Sequence, residues 1–392
     1  MGGPGFGFDI SWRLGNNGKQ RKPTAGNEPG RMKILHVETG RQLLGGPQQV
    51  VYLMRGLMDR GHDCTLVCPP GSGVDGAARQ QGIPVRSLFC AGDIDLPFAY
   101  RLQQFIRDSK PDLVHCHSRR GADVLGGLAA SFADVPAVVS RRVDNTEMRV
   151  LAAIRYRPFR KIIAISQAVA TALRDVGVED EKIVIIRSAV DAAPFDRPYG
   201  RADIEAAFGI RPEEFAIAAA GQLIERKGHR FLVEAVAALK QSQGPFKLVI
   251  FGSGELEEAL REQTARLGVG KIVQFAGYRE DLDALLGCFD LLVHPALAEG
   301  LGVVTLKAQA ASVPVIGFRA GGLPEAVIDG ETGMLVPPGD VAALTGAMAT
   351  LMNDDDRRAI LGRNGKARMQ AEFSIDSMVD RHLELYESIL HD

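Results

Sequence analysis

Short apolar runs alternate with longer segments of helical spacing along most of this chain. Lys33–Glu38, Thr65–Cys68, Leu113–Cys116, Ala137–Ser140 and Ile162–Ile165 read as buried strands, apolar and bounded by turn residues. Gln48–Arg60 carries Val51, Leu53, Met54, Leu57 and Met58 toward one side, which predicts a helix after a Gly45-Gly46-Pro47 turn. A shorter helix is expected over Val74–Gln81, and Ser166 is a candidate N-cap for a helix over Gln167–Val176. The alternation pauses over Ile183–Asp196, an irregular stretch that contains Pro194. It resumes with Phe215–Ala220, Lys247–Phe251, Ile272–Phe275, Leu291–His294, Val313–Ile316 and Met334–Val336. Ile375–Leu390 reads as a closing amphipathic helix. Strand–helix alternation of this kind predicts parallel sheets covered on both faces. The expected fold class is therefore α/β, with two Rossmann-like, doubly wound domains facing a central cleft. Their expected bounds are 32–192 and 193–372. The segment 373–392 is a helix with the option of packing back on the first domain. Residues 1–31, rich in Gly, Pro and Asn and without periodicity, are expected to be disordered.

Length and composition agree: 392 residues suffice for two cores, and 46% apolar with 24% charged residues is ordinary for globular domains. No apolar run approaches the roughly 18–20 residues that span a bilayer. The N-terminus lacks the apolar core of a secretory signal. The five cysteines are scattered, so reduced core thiols in the cytoplasm are expected. The net charge of −2 conceals a split, because residues 1–190 carry 26 Lys and Arg against 18 Asp and Glu. That basic half includes Arg141, Arg142, Arg149, Arg155, Arg157, Arg160 and Lys161. With few aromatics and no stacking motif, no nucleic-acid partner is expected. An anionic membrane surface or anionic acceptor competes with the plainer reading of a solvated charged face.

Candidate chemistry sits where strands end. Gly45-Gly46 follows the first strand and opens a helix, as either a plain turn or a phosphate-approaching one; it does not complete a dinucleotide fingerprint. His115 and His117 share one face of a strand end, which permits metal but favours a polar contact from His117. Lys227, in Gly221-Gln222-Leu223-x3-Lys227-Gly228, is placed to neutralise a leaving phosphate. Glu299 precedes Gly300-Leu301-Gly302, a turn opening a helix whose bare amides suit phosphate, and Gly321-Gly322 forms a second such turn. A carboxylate there is better placed to accept hydrogen bonds from sugar hydroxyls. The D-x-D matches Asp93-Ile94-Asp95 and Asp281-Leu282-Asp283 are common by chance, and no metal or cofactor is expected.

Together the motifs resemble the family-4 retaining glycosyltransferases of the GT-B fold from Met32 onward. MKILHVE with GGPQQVV, LVHCHS, IIAISQAV, IIRSAVDAAPF, GQLIERKG, LVIFGSGELEEAL, FAGYREDLDALLGCFD and AEGLG with GGLPEAVIDGETGMLVPPGD carry the resemblance. It implies transfer of a hexose-like sugar from a nucleotide diphosphate donor to an acceptor hydroxyl, by same-face attack assisted by the leaving phosphate. His117, Lys227 and Glu299 would be catalytic. Gly45, Gly46, Gln222, Arg226, Tyr278, Arg279, Gly300, Leu301, Gly302, Val303, Val304 and Lys307 would bind the donor, with the nucleobase near Tyr278 and Arg279. Gln222 stands where the family has arginine, with Arg226 as a candidate substitute. Lys307 replaces a second glutamate that binds ribose in the family; lysine has no acceptor for a diol. It is expected to pair with a carboxylate such as Glu299. The acceptor is expected to be saccharide or lipid-linked, bound by the basic half at the cytoplasmic face of a membrane, in lipopolysaccharide or polysaccharide synthesis. Gln222 and Lys307 keep open a donor-binding protein without turnover, and a GT-B sugar-nucleotide epimerase is a further alternative.

Overall fold

The computed structural model describes residues 30–43, 45–117, 121–143, 147–196 and 200–391. The expected disordered segment 1–31 lies outside them except for Gly30 and Arg31. The N-terminal domain runs β1 (Lys33–Val37), α1 (Gly45–Asp59), β2 (Asp63–Cys68), α2 (Gly73–Gln80), β3 (Val85–Ser87), α3 (Leu96–Ser109) and β4 (Leu113–Cys116). A π-helical turn, Ala122–Gly126, leads into α4 (Gly127–Phe132), β5 (Ala137–Arg141), α5 (Arg149–Tyr156), β6 (Lys161–Ala164), α6 (Gln167–Asp175) and β7 (Ile183–Ile185). The second domain runs α7 (Arg201–Phe208), β8 (Phe215–Ala220), α8 (His229–Leu239), β9 (Phe246–Phe251), α9 (Glu257–Arg266), β10 (Val273–Gly277), α10 (Leu282–Leu285) and β11 (Leu291–His294). It closes with α11 (Val303–Ala310), β12 (Val315–Phe318), α12 (Leu323–Ala326), β13 (Gly333–Val336), α13 (Val341–Met352), α14 (Asp355–Glu372) and α15 (Ile375–His391).

The sheets are parallel, in the orders β3-β2-β1-β4-β5-β6-β7 and β10-β9-β8-β11-β12-β13. The central strands are buried along almost their whole length, which is why they read as continuous apolar runs rather than alternating ones. One face of the first sheet is covered by α1, α2 and α15, where Val50, Met54, Val379 and Tyr386 join one buried cluster. Gly56 of α1 lies so close to α15 that a Cβ there would sit 2.5 Å from Val379 Cγ2. The last helix therefore returns to the first domain.

Three local expectations need correction. Helix α1 begins at Gly45 itself, since Pro47 fits a first turn, where no backbone N–H is required. The stretch expected to be irregular contains β7, a three-residue edge strand too short to leave a periodic signal. Helix α3 was not anticipated because its buried stripe is only Phe98, Leu102 and Ile106; Asp95 caps it, accepting from the Phe98 amide at 2.9 Å. That cap accounts for half of the first D-x-D match.

The domains close on one another through Glu325. Its Oε1 accepts from the amides of Gln167 at 2.6 Å and Ala168 at 3.3 Å, and its Oε2 pairs with Arg187 at 3.1 Å. Ser166 Oγ accepts from Val169 at 3.1 Å, so side chains satisfy three first-turn amides of α6. One of these caps comes from the opposite domain.

Candidate functional site

In each sheet the chain reverses direction of growth between two neighbouring strands, β1 with β4 and β8 with β11. The crevice beyond the carboxyl ends of such a pair is where open parallel sheets take ligands. His36 and His117 flank the first crevice; Lys227, following β8, and His294 with Glu299, at the end of β11 and beyond, flank the second.

Lys227 Nζ donates to Glu299 Oε2, and His294 Nε2 lies 2.8 Å from the same oxygen. The three side chains are largely buried. Burial alone would raise the Glu299 carboxyl, but the His294 hydrogen bond and the Lys227 charge outweigh it and hold it well below the usual carboxylate range. His294 is itself lowered, first by burial, so a neutral imidazole donates from Nε2. His229 opens α8 nearby; burial, then His294 and Lys227, push it down to about 4. Among the described residues no protein group bonds to Glu299 Oε1, which leaves an acceptor for a ligand.

Bare amides lie next to this carboxylate. Gly302, at φ 89°, turns the chain into α11 in a conformation that favours glycine. The Thr305 hydroxyl donates to its carbonyl at 2.7 Å. The amides of Val303 and Val304, in the first turn, have no carbonyl one turn earlier to meet. Leu301 is buried. Gly300 touches the other domain: a Cβ there would sit 2.5 Å from the Arg142 carbonyl oxygen. The Arg142 side chain lies across from Gly46 at the start of α1, and burial lowers its guanidinium to about 10 against the opposing pull of Glu38. Arg226 ties the two loops of the second crevice, its carbonyl accepting from Leu297 at 2.8 Å and its Nη1 donating to Ala298 at 3.4 Å.

Around the first crevice imidazoles collect. His36 Nδ1 lies 2.9 Å from His117 Nε2. His115 uses both nitrogens, one 2.6 Å from the Tyr386 hydroxyl and one 2.8 Å from Ser140 Oγ. His117 Nδ1 and His36 Nε2 are buried without a partner among the described residues. His36, His115 and His117 are close enough to form a candidate metal-ligating group. Binding would require His115 to release Tyr386 or Ser140. Burial, then His382, holds His36 at about 3, and burial also holds His115 and His117 well below their ordinary value.

The sequence expectations fare unevenly. Lys227 and Glu299 meet, with Gly300, Leu301, Gly302, Val303 and Val304 beside them, while Gly45, Gly46 and His117 lie across the cleft in the other domain. Gln222 is exposed at the head of the Lys227 turn. Tyr278 and Arg279 follow the edge strand β10, where Tyr278 is exposed and Arg279 is held by Asp281 at 2.6 Å. Lys307 does not pair with Glu299. It pairs with Asp283 at 2.6 Å, because Glu299 already has Lys227 and His294. This pair and Arg279–Asp281 occupy both carboxylates of the second D-x-D match. Arg155, expected on the basic face, is instead turned inward between Asp123, at 3.1 Å, and Glu147. Sequence reasoning missed His36 and His294, placed Arg142 only in the basic half, and read Asp283 only as part of a chance D-x-D match. His294 carried a readable signal, a histidine ending an apolar strand as His117 nearly does.

Comparisons with known proteins point one way. The profile described as "Glycosyl transferases group 1" matches residues 200–368, and that of "Glycosyltransferase Family 4" matches residues 45–193. The lipopolysaccharide core biosynthesis glycosyltransferase LpsE of Rhizobium meliloti is 28% identical over 372 residues, 91% of this chain and 99% of its own. A GDP-mannose-dependent phosphatidylinositol monomannoside mannosyltransferase of Corynebacterium glutamicum is 33% identical over 52% of this chain and 54% of its own. The crystal structure of Anabaena HepE in complex with UDP-glucose superposes with a TM-score of 0.81 at 23% identity, covering 91% of this chain and all of that one.

Two predictions follow from the ion pairs and the imidazoles. Lys307→Glu sets two carboxylates side by side and should lower stability by about 1 kcal/mol in urea unfolding, while adding Asp283→Lys should restore it. Failure of the reversed pair to recover stability would show that Lys307 acts elsewhere. His382, held at about 4 chiefly by burial, and His36, at about 3, are neutral in the fold, while the unfolded chain takes up protons near pH 6.5. Stability should thus be full above about pH 6.5 and fall toward pH 4, by up to about 1.4 kcal/mol per pH unit for each histidine. His382→Gln should flatten the slope of urea midpoint against pH; an unchanged slope would contradict it.

Proposed function

Because this chain belongs to the group 1, family-4 glycosyltransferases, we propose that it is a retaining enzyme that moves a hexose-like sugar from a nucleoside diphosphate donor to an acceptor hydroxyl of a glycoconjugate. The observation that carries the proposal is Glu299, its charge held by Lys227 and His294, next to the open first turn of α11. A sugar offers hydroxyl donors, which Glu299 Oε1 can accept. A diphosphate offers anionic oxygens, which the Lys227 ammonium and the Val303 and Val304 amides can meet. The relatives support the class: LpsE is named for lipopolysaccharide core synthesis and HepE was solved with UDP-glucose.

In this reading the bond from the sugar's anomeric carbon to the phosphate oxygen breaks, and the acceptor oxygen bonds to that carbon from the same face. The acceptor proton passes to the departing phosphate. Lys227 and the amides stabilise the charge that grows on the leaving group, with no metal required. Both D-x-D matches have carboxylates committed to a helix cap or an ion pair, in keeping with that proposal. His117, braced by His36 through Nε2, would present Nδ1 to the sugar. Arg142 and the amides opening α1 close the acceptor side. The acceptor is proposed to be a saccharide carried on a lipid, met at the cytoplasmic face of a membrane.

Lys227→Ala tests the leaving-group contact. It should lower kcat by about 10²–10³ while the protein remains folded, as loss of one donor to developing charge does elsewhere. Turnover equal to that of the unaltered protein would remove Lys227 from the mechanism.

A further inference from the structure

Helix α5 is amphipathic in the wrong sense for water. Its inward face holds Ala152, Tyr156 and a charge, Arg155, which is paired with Asp123 and Glu147; the Tyr156 hydroxyl also donates to Glu147 at 2.8 Å. Its outward face holds the apolar residues: Met148 is 67% exposed, Val150 70%, Leu151 48% and Ile154 62%. Packing that turns the ion pair inward and the aliphatic side chains outward has no hydrophobic reason if water lies outside.

A second apolar group stands nearby in the fold. Phe89, Ile94, Leu96 and Tyr100, around the start of α3, are exposed, Ile94 at 91%. Helices α3 and α5 both pack on the turn Ala122–Gly126, and Gly121 abuts the Gly92 carbonyl, so these groups flank one segment. Both segments follow carboxyl ends of strands, β3 and β5, the end of the sheet at which His117 lies. Arg149, Arg157 and Arg160 are exposed on and just after α5, and none makes an ion pair among the described residues. No helix among those residues is long and apolar enough to cross a membrane.

We propose that this rim of the N-terminal domain is a docking surface for an anionic lipid bilayer, with Val150, Leu151 and Ile154 entering the headgroup boundary and Arg149, Arg157 and Arg160 meeting lipid phosphates. Exposed aliphatic side chains flanked by arginines that make no ion pair among the described residues match both the apolar boundary and the anionic phosphates of such a bilayer. The surface differs from the basic patch expected from sequence, since Arg155 is internal and Lys161 donates to the Glu181 carbonyl at 2.7 Å. Its consequence, that a lipid-borne acceptor is brought to the cleft mouth, rests on the transferase reading; the binding itself does not.

The test is flotation of the full chain with phosphatidylcholine vesicles, with and without phosphatidylglycerol, at rising salt. The unaltered protein should float with the anionic vesicles only and be released as salt screens the contact. Val150→Glu with Ile154→Glu should lower the bound fraction about tenfold or more, as should Arg149→Ala with Arg157→Ala and Arg160→Ala. Both variants should keep the melting temperature and the thermal shift given by UDP or GDP, which separates failure of docking from failure of the donor site. No flotation of the unaltered protein, or equal flotation of it and the arginine variant, would overturn the proposal. So would a dimer dissolved by the Val150→Glu, Ile154→Glu pair in place of vesicle binding.

Discussion

A carboxylate closed into a cleft keeps its charge only when cations and donors replace the water it has lost. At Glu299 those replacements are Lys227 and His294, and much of the second domain is arranged to deliver them. Lys227 comes from the loop after β8, and His294 and Glu299 from the end of β11. These strands are neighbours only because the order of the sheet reverses there. The same reversal faces the first turn of α11 into the crevice. Glu299 therefore stands at the meeting point of sheet topology, helix terminus and ion pair.

The constraint recurs wherever charge is taken from water in this chain. Lys307, without a partner on its own helix, has Asp283 from α10. Arg155 turns inward only because Asp123 and Glu147 receive it. Glu325 crosses the cleft to the bare amides of α6 and to Arg187, so part of the closure between domains is a helix cap provided in trans. The imidazoles beside β1 and β4 take the other course: they remain neutral, His115 meets Ser140 and Tyr386, and His36 meets His117 through one nitrogen each. Tyr386 comes from the last helix, so the ordering of His115 at the first crevice depends on the chain's return to its first domain.

Much of this was legible because a parallel sheet writes itself as separate apolar runs, and the glycine turns mark where strands give way to helix termini. The two-domain α/β architecture, the resemblance carried by AEGLG and ERKG, and the approximate strand positions all rest on local sequence. What escaped was non-local or weak. His36 stands far from His117 in sequence and meets it only because β1 and β4 pair. Asp283 lay inside a D-x-D match read as common by chance, and only the tertiary fold brings its carboxylate to Lys307, 24 residues further along the chain. The inward turn of Arg155 was invisible because its partners, Asp123 and Glu147, lie outside the helix and nothing in the sequence of α5 itself points to them. The strand β7 and the helix α3 were lost for want of length in one and of a broad apolar stripe in the other.

The proposed chemistry assigns Glu299 to the sugar as distinct from the diphosphate. Calorimetry of the unaltered protein and of Glu299→Gln, each titrated with a nucleoside diphosphate and with the corresponding nucleotide-sugar, measures that difference. A hydrogen bond to a charged group is worth about 1.5–3 kcal/mol, so the substitution should remove roughly that much from the gain the sugar brings. It should leave the affinity for the diphosphate equal or higher, since Lys227 is freed from its partner. Equal losses for both ligands, or an undiminished gain from the sugar, would contradict the assignment of Glu299 to the sugar.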